Sequence, residues 1–585
     1  MKFRIFLGFV CLVFVSMLLL YGTDLRKPDQ VEIDETNQVN KLTPEFDLEV
    51  SEPLSCKNVA SVLANGPLVM GLVGRPVTLL PFNPASSGTR NPIETELAKL
   101  IFRGLVRFNS AGEPLPDLAS WQVAEDGLSV IFTFDQGAMW HDGTPLTAAD
   151  VAFTVSTLAS GDYTTPGDFP WDSVGVQIID STNVQLSLPI PFAPLLEAAT
   201  VGLLPSHLGI NAQNLQGSDF ASQPIGNGDF RVVNRWDRDG LILLEPIAPA
   251  LLDSLEIRFY PTLADMASDF EIEELDLAVF PPYSTILALD GIPTEQYNLF
   301  SSPTGQITQL FFRIDGVGGI ESGAGSPIMT SGAVRQALRL SLDRRTLIDS
   351  AANGQGIVTE GPWSLENQFH DKRLFPIVQT DLALAAALLD EAGWLLPEDA
   401  LSQTIRQKEG VNLELEILVS NQGITSQIAD ELALQWSDIG VRAIVTALPP
   451  ADYQTAITGR DFDLTVQKTR LSNDPDLYDF WSQEAIVRGQ NISRWNNRPA
   501  SEALEAGRQV WDYELRKPYY NAFRTFFEKE LPAFSLFQDS RSIAVNSRVA
   551  GPIVGYPGEL TEFVSRFSEW YVIDENVDAN CSDAS

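Results

Sequence analysis

The chain has 585 residues, 44% hydrophobic and 20% charged, which excludes wholesale disorder and a multi-span membrane protein and, at roughly 100–200 residues per domain, calls for more than one domain. Lys and Arg number 39 against 77 Asp and Glu, a formal net charge of −38, so the surface repels phosphate backbones and nucleic acid is not an expected partner. Three histidines and three cysteines exclude a four-cysteine zinc or iron–sulfur site. No cofactor and no metal are expected.

In chain order, residues 5–23 carry no charge and reach roughly 28 Å as a helix, about one hydrocarbon core. Lys2 and Arg4 precede them, so the following chain is exported. No small-x-small cleavage motif follows the run, and Val10 stands before Cys11 where a lipoprotein motif wants a small residue. Residues 1–23 are therefore expected to be a transmembrane anchor or uncleaved signal; a cleaved signal and a lipoprotein are the alternatives. Residues 24–65 are rich in Asp and Glu (Asp24, Asp29, Glu32, Asp34, Glu35, Glu45, Asp47, Glu49, Glu52) and read as an extended acidic tether. Cys56 and Cys581 bracket the remaining chain in an oxidising compartment, as a disulfide candidate or as two unpaired thiols.

From residue 67 short strand-like runs alternate with helical patterns. PLVMGLV (67–73), LSVIFTF (128–134), NVQLSLP (183–189) and LILLEPI (241–247) read as strands. AVRQALRLSLDRRTLIDSA (333–351) has the spacing of an amphipathic helix. TDLALAAALLDEAGW (380–394) predicts a helix capped by Thr380 or Asp381 and stopped at Gly393. LELEILVS (413–420), QIADELALQWSDIG (427–440) and VRAIVTAL (441–448) form a parallel strand–helix–strand unit. The fold class is α/β with mixed sheets. There is no G-x-S-x-G, H-E-x-x-H or G-x-x-x-x-G-K-(S/T), so no catalytic residue is expected. A carboxylate-based hydrolase is the enzymatic alternative.

WHDGTPLTAADVAFTV (140–155) resembles the W-x-D-G-x-P segment of the extracellular solute-binding proteins of the dipeptide/oligopeptide/nickel class, which serve ABC importers. Five further blocks follow the same family's order: 93–134, PIGNGDFRVV (224–233), VRQALRLSLDRRTLI (334–348), ALLDEAGW (387–394) and NISRWNNRPASEAL (491–504). The resemblance implies a two-lobed periplasmic-binding-protein-like clamshell of the large class with an extra subdomain. Lobe I is expected from 67–118, 224–300 and 536–575, a subdomain appended to it from 119–223, and lobe II from 301–535. It further implies a monomeric receptor outside the cytoplasm, in the periplasm or at the cell surface. This receptor would capture a peptide or similar small organic molecule between the lobes and deliver it to an ABC permease. A membrane-anchored sensor or surface scaffold that keeps the fold without import is the alternative.

In peptide-binding relatives an aspartate four residues before the Pro of a D-x-x-(D/E)-P segment holds the peptide's amino group. The matching stretch here is Arg470-Leu471-Ser472-Asn473-Asp474-Pro475-Asp476, and Leu471 occupies the acidic position. A leucine cannot pair an ammonium. The ligand-binding candidates are Arg75, on a loop bordering the cleft; Trp363, offering a flat apolar face; Asn473, Asp474 and Asp476; and Asn491. For Trp363 the competing reading is core packing, for Asp474-Pro475-Asp476 a turn, and for Trp495, at a family position, packing. His141 reads as a solvated turn residue. His207 and His370 lack a partner at ligand spacing, and DPDLYD (474–479) lacks the glycine and distal glutamate of a calcium loop.

Overall fold

The computed structural model describes residues 66–573, apart from 86–91, 110–111, 136, 166–168, 211, 235, 237–239, 315–327, 371–375, 398–404 and 554–558. The expected anchor (1–23), the tether (24–65), Cys56 and Cys581 lie outside the described residues. Among the described residues no helix is long and apolar enough to cross a membrane.

The main sheet is built from β1 (Pro67–Val73), β2 (Phe230–Val232), β3 (Ile242–Pro246), β4 (Ser254–Tyr260), β5 (Leu277–Phe280), β6 (Tyr297–Phe312), β7 (Glu414–Ser420), β8 (Arg442–Leu448), β9 (Leu464–Arg470) and β10 (Ala533–Asn546). Their order is β2-β3-β4-β1-β5-β10-β6-β9-β7-β8. β1 pairs in parallel with β4 and β5, and β7 in parallel with β8 and β9. Helix Thr425–Ser437 connects β7 to β8, the strand–helix–strand unit predicted from the sequence. A separate antiparallel sheet of Ala119–Val123, Ser129–Phe134, Asn183–Ser187 and Gly175–Ile178 contains the strands predicted near 128–134 and 183–189.

β1 is covered on both faces, which is why it reads as a continuous apolar run. Leu68, Met70 and Leu72 enter one core with Phe132, Trp140, Leu255 and Trp570. Val69 and Val73 pack against a smaller one around Met266 and Phe280. A further large core gathers Leu310, Trp363, Trp436, Trp495, Tyr520 and Phe534. β6 and β10 run through both large cores. β10 contributes Phe534 and Leu536 to one and Ile543 and Val545 to the other. Their ladder is irregular between Pro303 and Ile307, where the chain leaves one core for the other.

The helix expected over 333–351 is two helices, Gly332–Leu340 and Arg344–Ala351. The break follows from Asp343, whose carboxylate accepts from the backbone N–H groups of Arg345 and Thr346 at 3.0 and 3.1 Å and starts a new helix. The next predicted helix runs Leu382–Glu391, with Asp381 accepting from Leu384 N at 2.8 Å.

Candidate ligand-binding cleft

The segments that carry the family resemblance are chiefly structural. Thr147 and Asp150 form a capping box at helix Ala148–Ala159. Asp150 is 1% exposed; it accepts from Thr147 N at 2.8 Å, Trp140 Nε1 at 3.3 Å and both the N and Oγ of Ser206 at 2.8 and 2.7 Å. His141 is not a solvated turn residue. It is half-buried, with Nε2 3.0 Å from Gly228 O and Nδ1 accepting from Gly226 N at 3.2 Å, and burial lowers its pKa. In this PIGNG turn the glycines serve close approach. The N–H groups of Asn227 and Gly228 donate to Ile101 O at 3.1 and 2.8 Å, capping helix α1 (Pro92–Ile101), and a Cβ on Gly226 would lie 1.9 Å from that oxygen.

The structure places the remaining candidates as follows. Arg75 is exposed on the loop after β1. Trp363, 2% exposed, donates from Nε1 to Pro475 O at 3.0 Å and packs edge-on against Tyr520 and Phe523. Asn491 is fully buried: its Nδ2 donates to Ser482 O at 3.0 Å and Trp495 O at 2.9 Å, and its Oδ1 accepts from Trp495 N at 3.0 Å. Trp495 is buried beside it. Asp474 forms a bidentate pair with Arg516 at 2.7 and 2.8 Å, and Asp476 pairs with Arg508 at 2.7 and 3.0 Å. The first pair is buried and the second half-buried. Asn473 O accepts from Asn367 Nδ2 at 3.0 Å. Leu471 is half-buried against the core around Trp363, with its N–H donating to Gly305 O at 2.9 Å. Thus Trp363, Asn473, Asp474 and Asp476 meet in one loop assembly after β9, Asn491 sits in a separate knot, and Arg75 stands on the other half of the sheet.

Facing that loop is a charged group the sequence reading missed. On α1, Lys99 donates to both oxygens of Glu559 at 2.8 Å. One turn earlier Glu96 accepts from Leu560 N at 2.6 Å and lies 3.4 Å from Arg541 of β10. Burial disfavours the Lys99 ammonium, but Glu559 and Glu96 outweigh it and raise its pKa; Lys99 in turn lowers that of Glu559, with Arg470 adding to the effect. From the short helix Leu195–Ala198, which follows the separate antiparallel sheet, Glu197 accepts from the backbone N–H of Asp474 at 3.2 Å. Lys99, Glu197 and Glu559 are all half-buried, and Lys99 and Glu559 keep 36% and 37% of their side-chain surface open. The one signal available in the sequence was Glu96 and Lys99 on a shared helical face, at i and i+3.

The family described as bacterial extracellular solute-binding proteins, family 5 Middle, matches residues 113–485. The chain belongs to this family. The curated protein XP55 of Streptomyces lividans is 24% identical over 77% of this chain and 80% of its own length. The oligopeptide-binding protein AppA of Bacillus subtilis is 24% identical over 85% of this chain and 90% of its own. Among solved structures, the ABC transporter substrate-binding protein CtaP of Listeria monocytogenes superposes with a TM-score of 0.71 at 20% identity, covering 87% of this chain and 100% of that one. AppA, solved in complex with a nonapeptide, gives 0.64 at 20% identity over 88% and 100%. These likenesses show the two-lobed α/β fold.

Proposed function

We propose that this protein is the extracytoplasmic receptor of an ABC importer, capturing a peptide or similar small organic solute between two lobes and handing it to a permease. The observation that carries the reading is the pair of separately packed cores joined by the long strands β6 and β10, whose ladder is irregular between them, with Glu197 meeting the loop after β9. Such a joint lets a ligand that touches both sides shift an open–closed balance. The family's relatives are binding proteins, among them an oligopeptide binder with a nonapeptide complex, and this favours peptide as the solute class and a role without catalysis. The apolar run at 5–23 supports a single anchoring span with the lobes in the periplasm or at the cell surface. Arg75 and Asn473, both exposed, are the candidates to contact ligand. Trp363, Asp474, Asp476 and Asn491 hold the loops that shape the cleft.

Thermal denaturation of the full-length chain with tripeptides, oligosaccharides, amino-acid derivatives and metal chelates tests the reading. A ligand at ~100 times its Kd adds about 2.7 kcal/mol, and peptides are expected to raise the midpoint by a degree or more. A rise with oligosaccharides alone would change the solute class. No rise with any class, from a folded chain, would leave the sensor or scaffold role instead.

A further inference from the structure

The charged groups around Lys99 and the loop after β9 include several carboxylates, and most are already neutralised. Asp474 and Asp476 are tied to Arg516 and Arg508, Glu559 to Lys99, and Glu96 to Arg541 and Leu560 N. Glu197 differs. It is half-buried on the short helix Leu195–Ala198, and it is held only by main-chain N–H groups of the loop after β9, that of Asp474 at 3.2 Å and that of Asn473. Among the described residues no cation lies within ion-pair distance of it. Lys99 attracts it from further off but is held by Glu559. A half-buried carboxylate without a counter-charge gains most from a ligand that brings a cation.

We infer that Glu197 is the receptor for the ammonium group of the solute, reached from the subdomain side of the cleft and serving where Leu471 cannot. The inference rests on the proposed function and narrows its solute to molecules with a primary ammonium, a free peptide amino end being the case argued here. The placement explains how a binding site with leucine at position 471 still selects a charged end. Glu197 already touches the loop that carries residues 471–476, so an ammonium beside it touches both halves of the cleft. It thereby contributes to closure as well as to affinity. Burial, reinforced by the nearby Asp474, raises the Glu197 pKa to about 7, as expected of a carboxylate waiting for its counter-ion.

The test is binding of tripeptides of neutral residues to the full-length chain by calorimetry, with free and with N-acetylated amino ends. The wild-type chain is expected to prefer the free amino end at least tenfold. Glu197→Gln, which keeps the shape and accepts from the same backbone N–H groups, is expected to lose that preference while still melting in one cooperative transition. Equal binding of both peptide sets by wild type overturns the assignment, and this comparison needs no variant to fold. Full preference retained in Glu197→Gln also overturns it. So does a loss confined to Glu562→Gln, since Glu562 is another half-buried carboxylate near Lys99. If wild type binds neither peptide set, the peptide reading itself falls and this assignment goes with it.

Discussion

The buried pair between Asp474 and Arg516 makes the sharpest stability prediction. Their side chains are 6% and 3% exposed, and both carboxylate oxygens are engaged, at 2.7 and 2.8 Å. Arg516 also donates to Gly507 O at 3.1 Å and to Tyr520 Oη at 2.6 Å. Asp474→Asn removes the charge and one acceptor but leaves the guanidinium buried. Breaking a buried pair in this one-sided way costs about 3–5 kcal/mol, and the lower end applies because an amide oxygen still accepts one bond. The core around Trp363 spans about 230 residues, so unfolding it carries roughly 0.5 kcal/mol per degree at ~2.1 cal/mol/K per residue. The calorimetric midpoint of that part of the chain is therefore expected to fall by ~6 °C. The double change Asp474→Leu with Arg516→Met removes both charges and should recover more than half of the loss. A midpoint for Asp474→Asn within a degree of wild type would refute the argument that this pair anchors the loop after β9.

The other expectations can be checked separately. Gly226→Ala would place a Cβ 1.9 Å from Ile101 O, and because that atom is backbone the turn cannot yield locally; a drop in soluble yield or a midpoint lowered by more than ~5 °C is expected, and unchanged melting would contradict it. Trp511→Phe removes the bond from Trp511 Nε1 to Gly127 O, 3.0 Å across to the turn before strand Ser129–Phe134; at about 1 kcal/mol it should weaken ligand binding roughly fivefold with little change in folding, and unaltered titrations would count against a role in closure. Burial, reinforced by Asp474 and opposed by Lys99, raises the Glu197 pKa above that of an unfolded glutamate, so the folded chain holds that proton more tightly. The stability this supplies is complete below the unfolded value, near 4.5, and is lost as pH rises through about 7. The melting difference between wild type and Glu197→Gln should therefore move against wild type between pH 5 and pH 7.5, and a flat difference would show that Glu197 titrates normally.

Much of the fold was legible because its strands are short and covered on one or both faces. β1, β3, β7 and β8 announce themselves as apolar or alternating runs. The long strands β6 and β10 do not. Their middles, Ser302-Pro303-Thr304-Gly305-Gln306 and Gln538-Asp539-Ser540-Arg541, leave one core before entering the next, and the residues there are polar because no single core claims them. The break at Asp343 was missed for a different reason. The apolar spacing continues through it, and only the side chain's competition for backbone N–H groups ends the first helix.

The cleft was less legible than the fold, and the residues explain why. Asp474 and Asp476 look available in sequence because their partners, Arg516 and Arg508, follow 42 and 32 residues later with no periodic relation to them. Asp150 and the PIGNG glycines belong to recognisable segments because they hold turns and helix ends together, tasks that any solute would require. The groups left free to answer a particular solute lie elsewhere. Glu197 sits on a four-residue helix outside every recognisable block, and it reaches the loop after β9 only because the subdomain folds back onto it. Segments that build the clamshell thus identify the family, while the choice of solute is written in residues whose meaning depends on contacts distant in sequence. Leu471 is the one family position that signals the difference from sequence alone. A leucine there requires either a solute without an ammonium group or a carboxylate supplied from another element, and Glu197 is the carboxylate placed to supply it.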